Sequence, residues 1–276
     1  MKVAVIGANH AGTAAINTIL DNYPGTEVHV FDQNSNISFL GCGMALWIGH
    51  QISGPQGLFY SSAEKLIHLK TRVTKVDYAN KTIHAEGEDG TVYEEAYDKL
   101  ILATGSAPIF PKIPGMDLEN VQAVKLYQHA EEVVKKLENP EIKHVTVVGA
   151  GYIGVELAEA FVRNGRATRL IDCADTCLSG YYDADFCNKM AENLSEHGVE
   201  LCFGRQVTAV EGEQGKVSRV VTSNGTFDTD MVVFAIGFKP NTELCADHLE
   251  LLRGAYLVDR TQKTSDPDIY AVGDCA

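Results

Sequence analysis

The sequence KHVTVVGAGYIG occupies residues 143–154 and decides the fold of this chain. Its apolar run predicts a buried strand, and its three glycines predict a tight turn that opens a helix: Gly149, Gly151 and Gly154. The next apolar run, 167–171, ends at Asp172, which is 18 residues past Gly154. This order predicts a dinucleotide-binding unit, whose helix amides face a pyrophosphate. Asp172 would accept hydrogen bonds from a ribose and favour NADH over NADPH; alternatively, it caps the following loop.

A second unit of the same kind opens the chain, with one residue changed. An apolar strand, 2–6, leads into Gly7, and Asn9 stands where the middle glycine of the pattern would be. Gly12 is followed by a helix predicted over about 13–22, and the next strand ends at Asp32, 20 residues past Gly12. Two adjacent dinucleotide folds imply two nucleotides that must meet, and hydride transfer from a nicotinamide to a flavin explains such a pair economically.

Composition narrows the possible partners. The 276 residues carry a net charge of -14, with 45% hydrophobic and 22% charged residues. An acidic globular chain of this kind argues against nucleic acid as a partner, because phosphate binding needs a basic face. No apolar run approaches the length that spans a membrane, and the first residues form a strand rather than a signal peptide. We therefore expect small-molecule partners, no nucleic acid and no membrane.

Seven cysteines occur without a CxxC pair or a Cys/His metal spacing. They are expected to be reduced thiols in the cytoplasm, without a metal, and all except Cys42 to be small buried residues. Cys42 is different because Trp47 stands five residues on, where a dithiol flavin reductase carries its second cysteine. A lone thiol oxidises to a sulfenic acid or a mixed disulfide, which indicates reduction of peroxide, dioxygen or a small disulfide.

Together these motifs resemble the flavoprotein disulfide reductase superfamily over nearly the whole chain. They are most similar to its single-cysteine branch, which contains water-forming NADH oxidases, NADH peroxidases and coenzyme A disulfide reductases. The Leu-Gly-Cys-Gly context of Cys42 is closest to the NADH oxidases. The residues that carry the resemblance are 7–12, 38–43, 103–106, 149–156, 235–242 and 273–274.

The resemblance implies an α/β fold with two doubly wound, Rossmann-like domains. An FAD domain, residues 1–115 and 240–276, would receive an inserted NADH domain, 116–239, and the family's C-terminal interface domain, which makes its homodimer, would be absent. The implied FAD contacts are Gly7, Ala8, Asn9, Ala11, Gly12, Asp32, Gln33, Cys42, Ala103, Thr104, Gly105, Ser106, Lys125 and Asp274. The implied NADH contacts are Gly149, Gly151, Tyr152, Ile153, Gly154, Glu156, Asp172, Tyr181 and Gly237.

The same resemblance makes Cys42 and His10 the catalytic pair. Cys42 would act as a thiolate, stabilised by the start of a helical run over 43–48, and His10 would act as its acid or base. Each assignment has a plainer alternative: His10 could fill the glycine turn and bond a backbone carbonyl, Glu156 could be a helix first-turn acid, and Tyr152 could pack over the nicotinamide pocket rather than gate it.

One segment departs from the family pattern. Family members have about ten residues between Leu66 and Thr71, whereas only residues 67–70 remain here, which leaves open the position of the strand 71–77 near the adenine end of FAD. The predicted function is an FAD-dependent NADH oxidase that reduces dioxygen to water. NADH peroxidase, coenzyme A disulfide reductase, a nucleotide-binding fragment without flavin and a peroxide-sensing thiol protein are the alternatives.

Overall fold

The computed structural model describes residues 1–59 and 67–276, which form two compact units. The first unit comprises residues 1–40, 56–107 and 239–276, and the second comprises 41–55 and 108–238. The segment 41–55, which carries Cys42, therefore groups with the second unit, whereas the sequence analysis placed it in the first domain.

The described residues contain five α-helices: α1 (His10–Asn22), α2 (Met44–Ile48), α3 (Tyr127–Leu137), α4 (Tyr152–Arg163) and α5 (Ala184–Glu196). Helix α1 begins earlier than predicted because Asn9, with extended dihedral angles, is its N-cap residue. In the part of the chain that is described, no helix combines the length and the apolar character that crossing a membrane requires.

The strands are numbered in chain order. The first ten are β1 (Lys2–Ile6), β2 (Glu27–Phe31), β3 (Ile67–His68), β4 (Thr71–Asp77), β5 (Thr82–Gly87), β6 (Val92–Ala96), β7 (Lys99–Leu102), β8 (Ser106–Pro108), β9 (Val121–Ala123) and β10 (His144–Val148). The others are β11 (Ala167–Ile171), β12 (Val199–Cys202), β13 (Val207–Glu213), β14 (Lys216–Thr222), β15 (Gly225–Asp228), β16 (Met231–Phe234), β17 (Phe238–Pro240), β18 (Leu251–Leu252), β19 (Ala255–Tyr256) and β20 (Ile269–Ala271).

A parallel sheet of order β20-β7-β1-β2-β3 forms the centre of the first unit. One face packs on α1, where Val5 and Val30 contact the cluster that contains Ile16. The other face packs on the antiparallel sheet β4-β5-β6, and Leu100 shares that core with Ile83. Because both faces are covered, the central strands consist of consecutive apolar residues instead of alternating ones.

The strand 71–77 forms as predicted, and its position is now defined. It is β4, which pairs with β5 in the antiparallel sheet, while the two residues of β3 pair with the end of β2. The backbone amide of Thr71 donates a hydrogen bond to the carbonyl of Asp32 (2.9 Å), so β4 begins beside the acid that ends β2. Leu66, which bounds the shortened segment, lies outside the described residues.

The second unit repeats this plan. Its parallel sheet has the order β12-β11-β10-β16-β9, with α4 packed on β10 and β11. The opposite face shares a core with the antiparallel sheet β13-β14-β15, through Phe234 and Val220 among others. The predicted α/β class with two Rossmann-like sheets is confirmed, and it places the carboxyl ends of neighbouring parallel strands at one edge of each sheet.

Candidate active site

The first glycine turn connects β1 to α1 in a conformation that only glycine fits. Gly7 has φ +102°, and a Cβ atom there would lie 2.2 Å from the carbonyl oxygen of Ala103. A Cβ atom on Gly12 would lie 1.9 Å from the carbonyl oxygen of Gly7. The two glycines therefore let the helix and the end of β7 approach the turn, which leaves Ala8 buried and Asn9, His10 and Ala11 at the surface of the helix start.

The middle position of each turn caps its helix without using a side chain. Asn9 (φ -81°, ψ -160°) and Gly151 (φ -75°, ψ -172°) adopt nearly the same backbone conformation. The Asn9 side chain makes no capping hydrogen bond, and Gly151 has no side chain to make one. By contrast, the Asp183 carboxylate accepts a hydrogen bond from Phe186 N and caps α5. Helix N-terminal amides that lack an intrahelical partner bind anions, so α1 and α4 both fit a nucleotide pyrophosphate.

An acid at the end of the second strand supports each turn. Asp32 accepts hydrogen bonds from Ala8 N (2.6 Å) and Asn34 N (2.7 Å), and it is 6% exposed. Burial raises the pKa of the Asp32 carboxyl, and these hydrogen bonds oppose that shift. Asp172 accepts hydrogen bonds from Ala150 N (2.5 Å) and Ala174 N (2.8 Å) in the second unit. Asp32 Oδ1 also accepts from the Asn34 side-chain amide (2.9 Å), so Oδ2 is the Asp32 oxygen whose second lone pair suits a ribose hydroxyl. On Asp172 each oxygen accepts one of the two amide hydrogen bonds and keeps a second lone pair for a ribose hydroxyl.

The remaining predicted FAD residues of the first unit collect near the same sheet edge. The Thr104 hydroxyl donates to the Asn241 carbonyl (2.6 Å), and the Ser106 hydroxyl donates to the Asp274 carboxylate (2.7 Å). Thr104 and Ser106, with Ala103 and Gly105, follow β7, which lies beside β1 in the parallel sheet, and Asp274 follows β20, which lies beside β7. Topology therefore brings three distant stretches of sequence to the start of α1.

Gln33 lines a cavity of about 310 Å³ in the first unit. Its other walls come from residues of β4 and β5, including Arg72 and Glu86, and from Lys70. Gln33 directly follows Asp32, so one wall of this cavity continues from the acid that ends β2.

Sequence reasoning missed Ser38. Its side chain is 1% exposed, and its hydroxyl has no hydrogen-bond partner among the described residues. Its φ is +49°, and its amide donates to the carbonyl of Ala8 in the first glycine turn (2.8 Å). A buried hydroxyl without a partner costs about 1–3 kcal/mol, so this position fits a ligand that completes the hydrogen bond. Neither the burial nor the backbone angle can be recognised from the sequence.

The second glycine turn has nearly the same geometry as the first. Gly149 has φ +104°, and a Cβ atom on Gly154 would lie 1.7 Å from the carbonyl oxygen of Gly149. Gly237, with φ +111°, follows the end of the neighbouring strand β16. Ile153 and Glu156 lie in the first two turns of α4, and Glu156 is exposed.

Aromatic side chains border this second turn. The ring of Tyr181 lies 4.5 Å from that of Tyr152, and a Cβ atom on Gly151 would be 3.8 Å from Tyr181. The Tyr152 hydroxyl donates to the Tyr182 hydroxyl (2.6 Å), a contact that raises the pKa of Tyr152. Tyr152 is therefore held by its neighbours beside the predicted nicotinamide site, and Tyr182 is a contributor that the sequence analysis did not identify.

Cys42 and Lys125 both belong to the second unit. Cys42 is exposed in a 3₁₀ turn, Gly41–Gly43, that precedes α2. Helix α2 has five residues, so the dipole expected to stabilise the thiolate is that of little more than one turn. The Lys125 ammonium lies 4.2 Å from the centre of the Phe238 ring.

The other thiols are mostly inert by position. Cys177, Cys187, Cys202, Cys245 and Cys275 are buried, and burial raises the pKa of Cys177, Cys202 and Cys245. The expectation that all six would be buried is wrong for Cys173, which is exposed in the turn after β11.

His10 bonds a backbone carbonyl, as the plainer interpretation expected. Its Nε2 lies 2.8 Å from the carbonyl oxygen of Phe39. A carbonyl only accepts hydrogen bonds, so Nε2 carries the proton in this contact, and the accepting nitrogen of a neutral ring is Nδ1.

Comparison with known proteins agrees with this architecture. A model of the pyridine nucleotide-disulphide oxidoreductase family matches residues 1–276. The chain is 55% identical to an NADH oxidase of Streptococcus pneumoniae, covering 100% of this chain and 64% of that protein. It is 46% identical to an NADH oxidase of Lactococcus lactis with the same coverage. The chain thus spans 64% of the length of these curated relatives.

Two solved structures are also similar. The water-forming NADH oxidase from Lactobacillus brevis, bound to NADH, superposes with a TM-score of 0.94 at 39% identity, covering 100% of this chain and 62% of that one. Reduced CoADR-RHD from Bacillus anthracis gives a TM-score of 0.94 at 30% identity, covering 99% and 51%.

Proposed function

Since this chain belongs to the pyridine nucleotide-disulphide oxidoreductase family, we propose that it carries the nucleotide sites and the reactive thiol of an FAD-dependent NADH oxidase that reduces dioxygen to water. The observation that carries this proposal is the exposed Cys42, with Trp47 in place of a second cysteine, in a chain with two glycine turns that fit a pyrophosphate. The 55% identity to a streptococcal NADH oxidase supports the same activity.

Each unit would hold one nucleotide, which is the proposed domain assignment. FAD would bind in the first unit at the start of α1, with Asp32 on its ribose and Ser38 and Asp274 as further contacts; NADH would bind in the second at the start of α4, with Asp172 on its ribose. Bound FAD would supply two-electron transfer between NADH and the acceptor. The contacts of Cys42 and Lys125 with FAD follow from the family resemblance.

The proposed role of Cys42 is to remove peroxide before it escapes. The thiolate sulfur attacks one peroxide oxygen, an S–O bond forms, the O–O bond breaks and hydroxide leaves, so that sulfur is oxidised by two electrons to the sulfenic acid. A hydride equivalent from a second NADH then breaks the S–O bond and gives thiolate and water. His10 would supply, from Nδ1 of the protonated ring, the proton that hydroxide takes up, since its Nε2 donates to the carbonyl of Phe39.

Replacement of Cys42 by serine tests this role. The wild-type protein should consume two NADH per dioxygen and release no peroxide, since Cys42 reduces the peroxide to water. Cys42→Ser should consume one NADH per dioxygen and release peroxide, measured by oxygen uptake with and without catalase. A Cys42→Ser protein that still consumes two NADH per dioxygen would contradict the proposed cycle.

The acceptor distinguishes the related activities. The second candidate is a coenzyme A disulfide reductase, because the chain superposes on CoADR-RHD with the same TM-score of 0.94 as on the Lactobacillus brevis oxidase. The identity to CoADR-RHD is lower, 30% against 39%, so this candidate ranks second. NADH consumption with peroxide or coenzyme A disulfide, but not with dioxygen, would support a peroxidase or a disulfide reductase. Assembly as a homodimer follows from the family resemblance, and a cytoplasmic location follows from the scattered cysteines that are expected to be reduced; both stay predictions.

A further inference from the structure

The helix that follows Cys42 depends on its surroundings. Helix α2 has five residues, and an isolated helix of that length is unstable in water. The conformational entropy lost in forming the first turn outweighs the free energy that the hydrogen bonds of one turn contribute. The orientation of the Cys42 turn, Gly41–Gly43, is therefore set by what α2 packs against. Within the second unit, α2 packs against α3 and α4.

An aromatic stack joins α2 to α3. The Trp47 ring is parallel to that of Tyr127, with the ring centres 5.9 Å apart and 5° between the planes. The Tyr127 hydroxyl donates to the Glu131 carboxylate (2.9 Å), which orients the ring at the start of α3. On the other side of Cys42, a Cβ atom on Gly41 would lie 3.7 Å from the carbonyl oxygen of Lys125. Gly41 and Trp47, which lie on either side of Cys42 in the sequence, thus both lie against residues 125–127.

A second set of contacts anchors the C-terminal end of α2, next to Trp47, on helix α4. A Cβ atom on Gly49 would lie 3.1 Å from the Cα atom of Ala160, so this end sits directly against α4. The Asn164 side-chain amide lies 3.0 Å from the carbonyl of Ile48 and donates to it, which satisfies one of the last carbonyl groups of α2. Helix α2 is thus held from one side by α4 and from the other by the Trp47–Tyr127 stack, and the Cys42 turn extends directly from its first residue.

We propose that Trp47 is a positioning residue for Cys42, and that its stack on Tyr127 holds the thiolate in the orientation from which it attacks peroxide. This inference rests on the proposed function. Attack requires the sulfur in line with the O–O bond: the S–O bond forms, the O–O bond breaks, and hydroxide leaves as sulfur loses two electrons. Displacement of a reacting atom by about 1 Å can slow such a step by about 100-fold. Trp47 stands where a dithiol flavin reductase carries its second cysteine, and in this chain it would orient Cys42.

The test measures Cys42 chemistry without NADH turnover. The reduced full chain is mixed with hydrogen peroxide, and Cys42 sulfenic acid is trapped with a cyclic 1,3-diketone and quantified by mass spectrometry. Trp47→Ala should react at least about 10-fold more slowly than wild type, whereas Trp47→Phe, which keeps an aromatic ring for the stack, should retain most of the rate. Phe186→Ala, which removes an exposed aromatic from α5 of the same unit, is the matched control and should react like wild type.

Tyr127→Ala provides an independent route if Trp47→Ala does not fold. It removes the same stack from the other side, so it should slow the reaction to a similar degree. The double variant should be little slower than either single one, because the stack is lost only once. An unchanged rate in Trp47→Ala, or effects of the two substitutions that simply add, would overturn the positioning role. A wild-type chain in which Cys42 forms no sulfenic acid would instead contradict the proposed function itself.

Discussion

Asp32 and Asp172 end corresponding strands of the two units, and each carboxylate accepts a hydrogen bond from the glycine turn beside it. Sequence spacing predicted a ribose contact for both acids, and the structure adds a second task. The carboxylate that would recognise the ribose also orders the turn that would bind the pyrophosphate. Loss of the charge should therefore affect binding at two points of the same nucleotide.

Asp172→Asn should weaken NADH binding by about 10-fold or more, because a hydrogen bond to a charged group contributes about 1.5–3 kcal/mol. The affinity for NADPH should rise relative to NADH, since the charge no longer repels a 2'-phosphate. Dissociation constants from nucleotide titrations measure both effects. Cys173→Ser, at the exposed neighbouring position, is the control that should change neither. Equal NADH affinity in Asp172→Asn and wild type would remove Asp172 from the proposed site.

At the scale of elements, the two glycines at the start of α4 do different work. A Cβ atom on Gly154 would lie 1.7 Å from a backbone oxygen, so this glycine allows the helix to pack against the turn. The nearest atom to a Cβ atom on Gly151 is 3.8 Å away, and its φ of -75° suits any residue. Asn9 occupies the same position in the first turn, which shows that the fold does not require glycine there. The space at Gly151 is thus available to a ligand.

Gly151→Ala and Gly154→Ala should separate these roles. Gly154→Ala should destabilise the chain by several kcal/mol or prevent folding, since backbone must move to admit the methyl group. Gly151→Ala should keep the thermal midpoint of the wild type but bind NADH more weakly, because the methyl group fills the space in which the pyrophosphate approaches the backbone. Thermal unfolding and NADH titration measure the two properties. A Gly151→Ala protein that binds NADH normally would show that the nucleotide does not approach this turn.

At the scale of the whole molecule, one architecture occurs twice in a single chain. Each unit has a five-stranded parallel sheet, a helix that starts at a glycine turn, and a three-stranded antiparallel sheet on the opposite face. The chain leaves the first unit twice and returns to it twice, so segments distant in sequence complete its core. Because each unit contains its own glycine turn at the start of a helix, the architecture supports two nucleotide sites.

The purified chain should therefore bind one FAD and one NADH. It should show flavin absorbance at a ratio near one FAD per chain, either as isolated or after FAD is added, and NADH titration should saturate independently of the FAD content. Absorbance spectra and calorimetry measure these ratios. A chain that binds NADH but takes up no FAD would support a nucleotide-binding module in place of the oxidase, and the Cys42 cycle would then lack its electron source.

The sequence by itself determined the features that depend on local pattern. Apolar runs followed by Gly7 or Gly149 predicted the strand–turn–helix units, because a positive φ and close packing leave few alternatives to glycine. The spacing to Asp32 and Asp172 predicted the acids that support the turns, and the absence of a cysteine at Trp47 singled out Cys42. Each of these features lies within about thirty residues, which is the length of one strand–turn–helix–strand unit.

Tertiary structure alone decided which distant residues meet. The stack of Trp47 on Tyr127 and the bond of His10 to the carbonyl of Phe39 join positions whose separation carries no periodic signal. The burial of the Ser38 hydroxyl, which has no partner among the residues that the structure describes, also depends on packing. The grouping of 41–55 with the second unit also depends on packing, since a five-residue helix takes its orientation from its neighbours. Short sequence patterns determine local backbone conformation. The surroundings of Cys42 form only when separate helices and strands pack their apolar faces against one another.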